Sequence, residues 1–435
     1  MNRSIVILGA GFGGLACARE ISRRAGKEAC KVTVVDHARY HVFTPLLYEV
    51  ATGFIEHENL GTSRLLMSGV TVGNAELTAR WGVDFIEDDV EGVDWERRRV
   101  KLRRGAAMPF DTLIIALGAE VNYYGIEGMA EHAMTLKNVR DADRLRQRIH
   151  DTLHKKERGL DDKLDIVIGG GGATGVELAA ELTMFLKRHM LKGHLKPEDF
   201  SISIIEATPR VLGALPKELS GYAADRLRSL GIRLDLDTCV KKVERARVTI
   251  APRPLKPGES NDALLCDFRG ESEKQVEADA IVWTGGIRGS SALEKLGLPL
   301  DSRGKRLEVG PTLEVPGKKD VFAIGDAALL MDPATKLPVP WLAQAATAHG
   351  QVVAKTVISR LAGGSDAEYR FREYPVIVPL GGKCAIAKVG GLTLKGWLGW
   401  LLKEFANLRY FLSILPLRPA IVLWWRGAKM YSQND

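Results

Sequence analysis

Ile5-Val-Ile-Leu8, then Gly9-Ala-Gly11-Phe-Gly-Gly14, then Val32-Thr-Val-Val-Asp36 decide the fold. The apolar run reads as a strand buried on both faces. The glycines fit G-x-G-x-x-G, and Leu15, Ala16, Ala18, Arg19 and Ile21 continue as a helix. Gly9 permits a tight turn. Gly11 lets a pyrophosphate approach the backbone at the helix N-terminus, and Gly14 lets the helix pack against the strand. Asp36, closing the second strand, can accept hydrogen bonds from a ribose 2′-hydroxyl. With a strand before, a helix after and an acid at the end of the next strand, this is a dinucleotide-binding βαβ unit rather than a bare glycine turn.

The pattern recurs. Leu164-Asp-Ile-Val-Ile168 is a second buried strand, Gly170-Gly-Gly172-Ala-Thr-Gly175 repeats the glycine spacing, and Val176–Leu182 opens a helix. Ser201–Ile205 is the next strand, ended by Glu206. Two such units in one chain imply two dinucleotides, and hence an electron relay with FAD in one unit and a nicotinamide in the other. An acid at Glu206 favours the free 2′-hydroxyl of NADH over the 2′-phosphate of NADPH, with Arg210 close enough in sequence to weaken that preference. Asp111–Gly118 and Ala280–Gly286 each read as an apolar strand ending in glycine that closes a unit. Val321-Phe-Ala-Ile-Gly325-Asp326 is a strand running into a Gly-Asp turn whose carboxylate can bond a ribityl hydroxyl.

Composition narrows the class. The 435 residues are 46% apolar and 26% charged, which excludes a disordered chain, a collagen and a polytopic membrane protein. Five scattered cysteines without a C-x-x-C pair argue against a disulfide scaffold, a metal ribbon or a local dithiol, and free thiols fit a reducing compartment. No metal site and no nucleic-acid arm are expected. The start of the chain reads as a strand, not as a targeting segment.

These features together resemble the two-dinucleotide-binding-domain flavoproteins, and within them the type II NADH dehydrogenases (NADH:quinone oxidoreductases). More specific are His41-Val-Phe-Thr44-Pro45-Leu-Leu-Tyr-Glu-Val-Ala-Thr-Gly53, Gly172-Ala-Thr-Gly-Val-Glu177-Leu178, and Ala343-Gln344-Ala345-Ala346. The resemblance implies an α/β fold: an FAD domain (1–120 and 290–390) interrupted by an NADH domain (121–289), with a membrane-binding segment (391–435). It implies electron transfer from NADH through FAD to ubiquinone or menaquinone without proton pumping, at the cytoplasmic face of the inner membrane. Carried across by position, Glu177 corresponds to a glutamate near the nicotinamide and flavin. Gln344 corresponds to the first glutamine of the A-Q-x-A-x-Q quinone motif, and Lys383 to a lysine near that pocket. Gly9, Gly11, Gly14, Asp36, Thr44, Pro45, Ala116, Gly118, Gly325, Asp326 and Gln344 fall to the FAD side; Gly170, Gly172, Gly175, Glu206 and Gly285 fall to the NADH side. The motif's second glutamine is Ala348 here, with His349 one residue further, about 100° around a helix. On the residues alone, Glu177 also reads as a first-turn charge suited to the helix dipole, and Lys383 as a loop lysine.

The tail carries its own pattern. Trp397, Leu401, Phe405, Leu408, Leu412 and Leu415 make one apolar stripe at helical spacing, with Glu404 at its edge. Pro416 and Pro419 are read as helix breakers before a second patch, Ala420–Trp425. From Gly391 to Asp435 there are six basic and two acidic residues, and four of the chain's eight tryptophans lie there. No segment reaches the ~20 apolar residues of a spanning helix. Monotopic attachment to a bilayer surface is expected; a core-covering helix or a homodimer partner are the other covers for such a stripe. Rival readings are a sulfide:quinone oxidoreductase, which needs a cysteine pair, and an NADH-sensing flavoprotein acting through a binding partner.

Overall fold

A computed structural model describes residues 3–25, 29–53, 62–157, 163–193, 195–253 and 272–431. Cys266 and both chain ends lie outside the described residues. The chain divides into two compact units, each assembled from separate stretches: Met1–Val42, Thr71–Glu120 and Ile287–Tyr374 in the first, Phe43–Val70, Val121–Gly286 and Pro375–Asp435 in the second.

The first unit is built on a parallel sheet in the order Val321–Ala323, Thr112–Ile115, Arg3–Leu8, Cys30–Asp36, Asp84–Glu87. The central strand is sealed from Ile5 to Leu8, so its apolar run follows from helices covering both faces. Helix Phe12–Ala25 packs against helix Ala343–Leu361. Their approach is close: a Cβ on Gly350 would stand 2.3 Å from the Gly13 carbonyl oxygen. The alanines at 345, 346, 348 and 354 keep that seam narrow, and all are buried.

The second unit repeats the plan, in the order Met134–Thr135, Ala280–Trp283, Leu164–Gly169, Phe200–Ile205, Arg233–Asp235, again parallel throughout. An antiparallel sheet of Thr238–Glu244, Arg247–Pro252 and Lys274–Glu277 packs beside it. Within that sheet Cys239 is disulfide-bonded, which corrects the reading of all five cysteines as free; Cys17, Cys30 and Cys384 do carry free thiols.

The C-terminal part of this unit is a hairpin sheet (Val376–Pro379, Ala385–Val389, Leu392–Gly396) followed by helices Trp397–Ile414 and Leu417–Tyr431. The first helix sits flush on the sheet through Gly399, whose Cβ would be 2.3 Å from the Ala385 carbonyl oxygen. Only Leu415 and Pro416 separate the helices. Pro419 lies inside the first turn of the second, where a missing N–H costs nothing, so it does not break the helix as expected. No described helix is long and apolar enough to cross a membrane.

Candidate functional site

Each unit presents a glycine turn at the end of its central strand, and the two are built alike. Gly9 and Gly170 both stand at φ +110°, a conformation that side chains resist. A Cβ on Gly9 would fall 2.2 Å from the Ala116 carbonyl oxygen, and one on Gly170 2.7 Å from Gly285 Cα. Ala116 and Gly285 are therefore the seats of the turns. Gly14 and Gly175 close the helices onto them, with Cβ positions 1.9 Å from the Gly9 oxygen and 2.0 Å from the Gly170 oxygen. Gly11 and Gly172 differ: nothing lies within 4 Å of their Cβ positions, and both are exposed. Each bare glycine begins a helix of fourteen and nineteen residues respectively, whose first N–H groups have no partner within the helix. These are cradles open to an anionic group, and they fit the pyrophosphate of a dinucleotide.

The acids do more than the sequence reading assigned to them. Asp36 accepts from the Ala10 N–H at 2.6 Å and the Ala38 N–H at 2.7 Å. Glu206 accepts from the Gly171 N–H at 2.5 Å, and from the Thr208 N–H and hydroxyl at 2.8 and 2.7 Å. In both units the strand-end carboxylate fastens the glycine turn. Carboxylate oxygens can each accept more than one bond, so a ribose remains within their capacity. Arg210 spends its guanidinium on the Leu215 and Gly213 carbonyls of its own loop at 2.8 and 2.7 Å. Trp283, given no role from sequence, lays its indole against Gly285, whose Cβ would meet the ring at 2.5 Å, and donates to the Asn122 carbonyl at 2.8 Å.

The remaining first-unit candidates cluster around the Gly-Asp turn. Gly325 donates its N–H to His349 Nδ1 at 3.1 Å, and Asp326 receives the Trp341 indole N–H on its carbonyl at 3.3 Å. Arg306 lies over the Trp341 ring at 4.5 Å. Burial lowers Arg306, while Asp301 and Asp326 pull it back up. His349 is buried, and that burial lowers it to about 4. It is thus a neutral, inward brace for the Gly-Asp turn and does not stand in for the glutamine missing at Ala348. Gln344 is exposed in the first turn of its helix, and Gly118, at φ +69°, ends the strand before it turns away.

The segment Phe43–Gly53, including Thr44 and Pro45, lies in the second unit. Thr44 and Pro45 are exposed in a short 3-10 turn, while Phe43 stacks on Tyr410 at 4.7 Å. Glu177 and Lys383 lie in this unit and Gln344 in the other. The turn that carries Lys383 rests on the helix that carries Glu177: a Cβ on Gly381 would be 3.0 Å from the Ala180 carbonyl oxygen. Lys383 itself is exposed, with Nζ 6.0 Å from the Trp400 ring.

Sequence reasoning missed what surrounds Glu177. Lys403, one of the six basic residues of the tail, is buried, and its ammonium pairs with Glu49 and, at 3.2 Å, with Glu404. Tyr48 donates to Glu49 at 3.0 Å. Glu404 accepts from the Trp424 indole at 3.2 Å, so the charge at the stripe's edge is tied down. Burial pushes the Glu177 carboxyl well above its usual range; Lys403 opposes this, and Glu49 and Glu181 add to it. Burial also raises Glu49, partly offset by Lys403. Burial alone would lower Lys403, but Glu49 and then Glu404 outweigh it and hold the ammonium charged. The one legible signal was a lysine on the face opposite the apolar stripe. That helix is inside-out: Gly399, Lys403, Asn407, Phe411 and Ile414 face inward, whereas Trp397, Leu401, Phe405 and Leu412 are exposed.

A family model described as pyridine nucleotide-disulphide oxidoreductase matches residues 3–351. A type II NADH:quinone oxidoreductase of Mycobacterium tuberculosis is 28% identical over 438 residues, covering 97% of this chain and 87% of the relative. Among solved structures, NDH2 from Plasmodium falciparum in complex with NADH shares the fold with a TM-score of 0.81 at 18% identity, covering 99% of both chains. The sulfide:quinone oxidoreductase of Aquifex aeolicus follows the same fold with a TM-score of 0.75 at 18% identity, over 94% of this chain and 91% of that one.

Proposed function

The chain belongs to the pyridine nucleotide-disulphide oxidoreductase family, and on that premise we propose that it is a non-proton-pumping NADH:quinone oxidoreductase that uses FAD and works from a bilayer surface. The observation that carries this reading is the pair of anchored glycine cradles in a chain that ends in outward-facing apolar helices. The names of the curated relatives support it.

The balanced reaction is NADH + H⁺ + quinone → NAD⁺ + quinol. FAD, when bound at the first cradle, supplies a two-electron acceptor for hydride and a two-electron donor for quinone. The chain's own residues bind and orient. Gly11 and Gly172 admit the two pyrophosphates, Asp36 and Glu206 take the ribose hydroxyls, and Asp326 serves the ribityl chain. Gly118 would serve FAD from the first unit, and Thr44 and Pro45 would serve it from the second. Glu177, whose carboxyl is raised well above its usual range, would supply a proton. Gln344 and Lys383 would each offer a hydrogen-bond donor to quinone. Trp397, Leu401, Phe405, Leu417, Val422 and Trp425, all exposed, seat the tail in the headgroup layer on the cytoplasmic side, with Arg409, Arg418 and Arg426 toward anionic phosphates.

A sulfide-oxidising enzyme is the weaker alternative: among the described cysteines, the Cys17 thiol is buried within the helix Phe12–Ala25 and raised by that burial, and Cys384 lies in the other unit. The test is steady-state NADH oxidation by the purified yellow protein with ubiquinone and menaquinone analogues. One NADH consumed per quinone reduced is expected. Flavin reduction that no quinone relieves would favour a sensor and defeat the proposal.

A further inference from the structure

In the second unit helix Leu47–Thr52, which carries Tyr48 and Glu49, packs against helix Ala173–Leu191, which carries Glu177 and Glu181, and Lys403 of helix Trp397–Ile414 reaches Glu49 beside its own neighbour Glu404. Among the described residues of this cluster, one ammonium faces four carboxyls. Glu177 and Glu181 are one helical turn apart on the same face, where like charges repel. Glu49 and Glu181 are buried and Glu177 and Glu404 half-buried, and carboxylates that share one cation away from water ionise at a desolvation cost that each adds to the next. Lys403 comes from the tail helix, which is otherwise apolar on its outer side, and its ammonium reaches in to Glu49. A surface-seating helix has no need of a buried lysine.

We propose that Lys403 is a positioning residue for quinone reduction, stabilising the carboxylate that Glu177 becomes when it gives up its proton. The O–H bond of the Glu177 carboxyl breaks and an O–H bond forms on the quinone oxygen. The electron pair and one hydrogen come from NADH, as a hydride equivalent, by way of the flavin; that hydrogen completes the second quinone O–H bond, NADH is oxidised to NAD⁺ and the quinone reduced to quinol, and solvent later returns a proton to Glu177. Lys403 touches no substrate; it acts through the cluster. Glu49 has the opposite sign of effect, since its negative charge makes the Glu177 carboxylate harder to form. The inference rests on the proposed function, with Glu177 as the acid.

The test is the pH dependence of kcat for NADH:quinone turnover in the full chain with bound flavin, for wild type and for Lys403→Met, Lys403→Arg and Glu49→Gln. Activity that needs a protonated Glu177 falls as pH rises through its ionisation. Losing the cation delays that ionisation, so Lys403→Met should carry the alkaline limb to higher pH. It should also cut kcat near neutrality by about tenfold, with KM for NADH unchanged. Glu49→Gln should carry the limb to lower pH, and Lys403→Arg should follow wild type. A merely structural lysine predicts neither a displaced limb nor opposite signs. Should Lys403→Met not fold, the Glu49→Gln limb decides alone. Limbs that superimpose on wild type, that move in one direction in both variants, or that are absent from wild type overturn the inference while leaving quinone turnover intact. Absence of quinone turnover in wild type would instead overturn the function itself.

Discussion

Gly172→Ala and Gly175→Ala are neighbouring substitutions with the same added methyl, yet they should fail in different ways. At Gly175 the methyl carbon would stand 2.0 Å from the Gly170 oxygen and 2.7 Å from the Thr284 hydroxyl oxygen. Ordinary contact needs more than a further ångström, and the nearer obstacle is backbone. Overpacking of this kind costs about 1–3 kcal/mol, or roughly 2–4 °C of melting temperature per kcal/mol in a unit of this size. At Gly172, φ is −71° and nothing lies within 4 Å of the added carbon. Stability there should change by no more than about 1 kcal/mol, the span of N-cap exchanges. The methyl would instead occupy the opening through which a pyrophosphate meets the helix N-terminus. The assay pairs thermal unfolding with steady-state KM for NADH. Gly175→Ala should melt earlier. Gly172→Ala should melt with wild type, keep its flavin, and show a KM for NADH raised about tenfold or more, the equivalent of ~1.4 kcal/mol. If Gly172→Ala binds NADH normally, the second cradle is not the nicotinamide nucleotide site.

Glu206→Ala should narrow the preference for NADH over NADPH and also raise KM for both, because the Gly171 and Thr208 N–H groups lose their acceptor; an unchanged NADH/NADPH ratio of kcat/KM would remove Glu206 from ribose selection. Phe405→Glu and Trp425→Glu change residues that are 63% exposed, so the fold should survive while flotation with anionic liposomes is lost; retained flotation would mean that the helices meet something other than lipid. This is a cleaner perturbation than truncation after Gly390, which would also remove Lys403 and a strand of the C-terminal sheet. His41 and His349 are both lowered to about 4 by burial, with His41 Nδ1 3.1 Å from the Ala10 carbonyl oxygen. Their unfolded forms take up protons near pH 6.5, so the stability they contribute is complete above that pH and drains away as pH falls toward 4. The loss is about 3 kcal/mol per group, and a melting temperature independent of pH across that window would contradict it.

The nucleotide turns were legible because their requirements are local. Turn, close approach and helix packing each demand glycine at a fixed spacing, and the strand-end acid is fixed by the length of the unit. The inward face of the tail was not legible. Helical spacing identifies an apolar stripe at Trp397, Leu401 and Phe405, but whether a stripe faces core or exterior depends on what the opposite face meets. That face meets Glu49, whose partner Lys403 is 354 positions away in sequence. The same limit hid the disulfide at Cys239 and the inward turn of His349. Pro419 misled because proline stops a helix from within but is tolerated in a first turn, and the two cases share one sequence until the helix start is known. Membership of Phe43–Gly53 in the second unit was equally non-local, set by the stacking of Phe43 on Tyr410 and Phe411.

Flavin absorbance followed in a stopped-flow cell, with NADH mixed first and a quinone analogue second, bears most directly on the two-cradle account. Bleaching on the first mixing and full return of the yellow colour on the second, each faster than steady-state turnover, is the expected record. A protein that binds flavin yet stays yellow in excess NADH would contradict it.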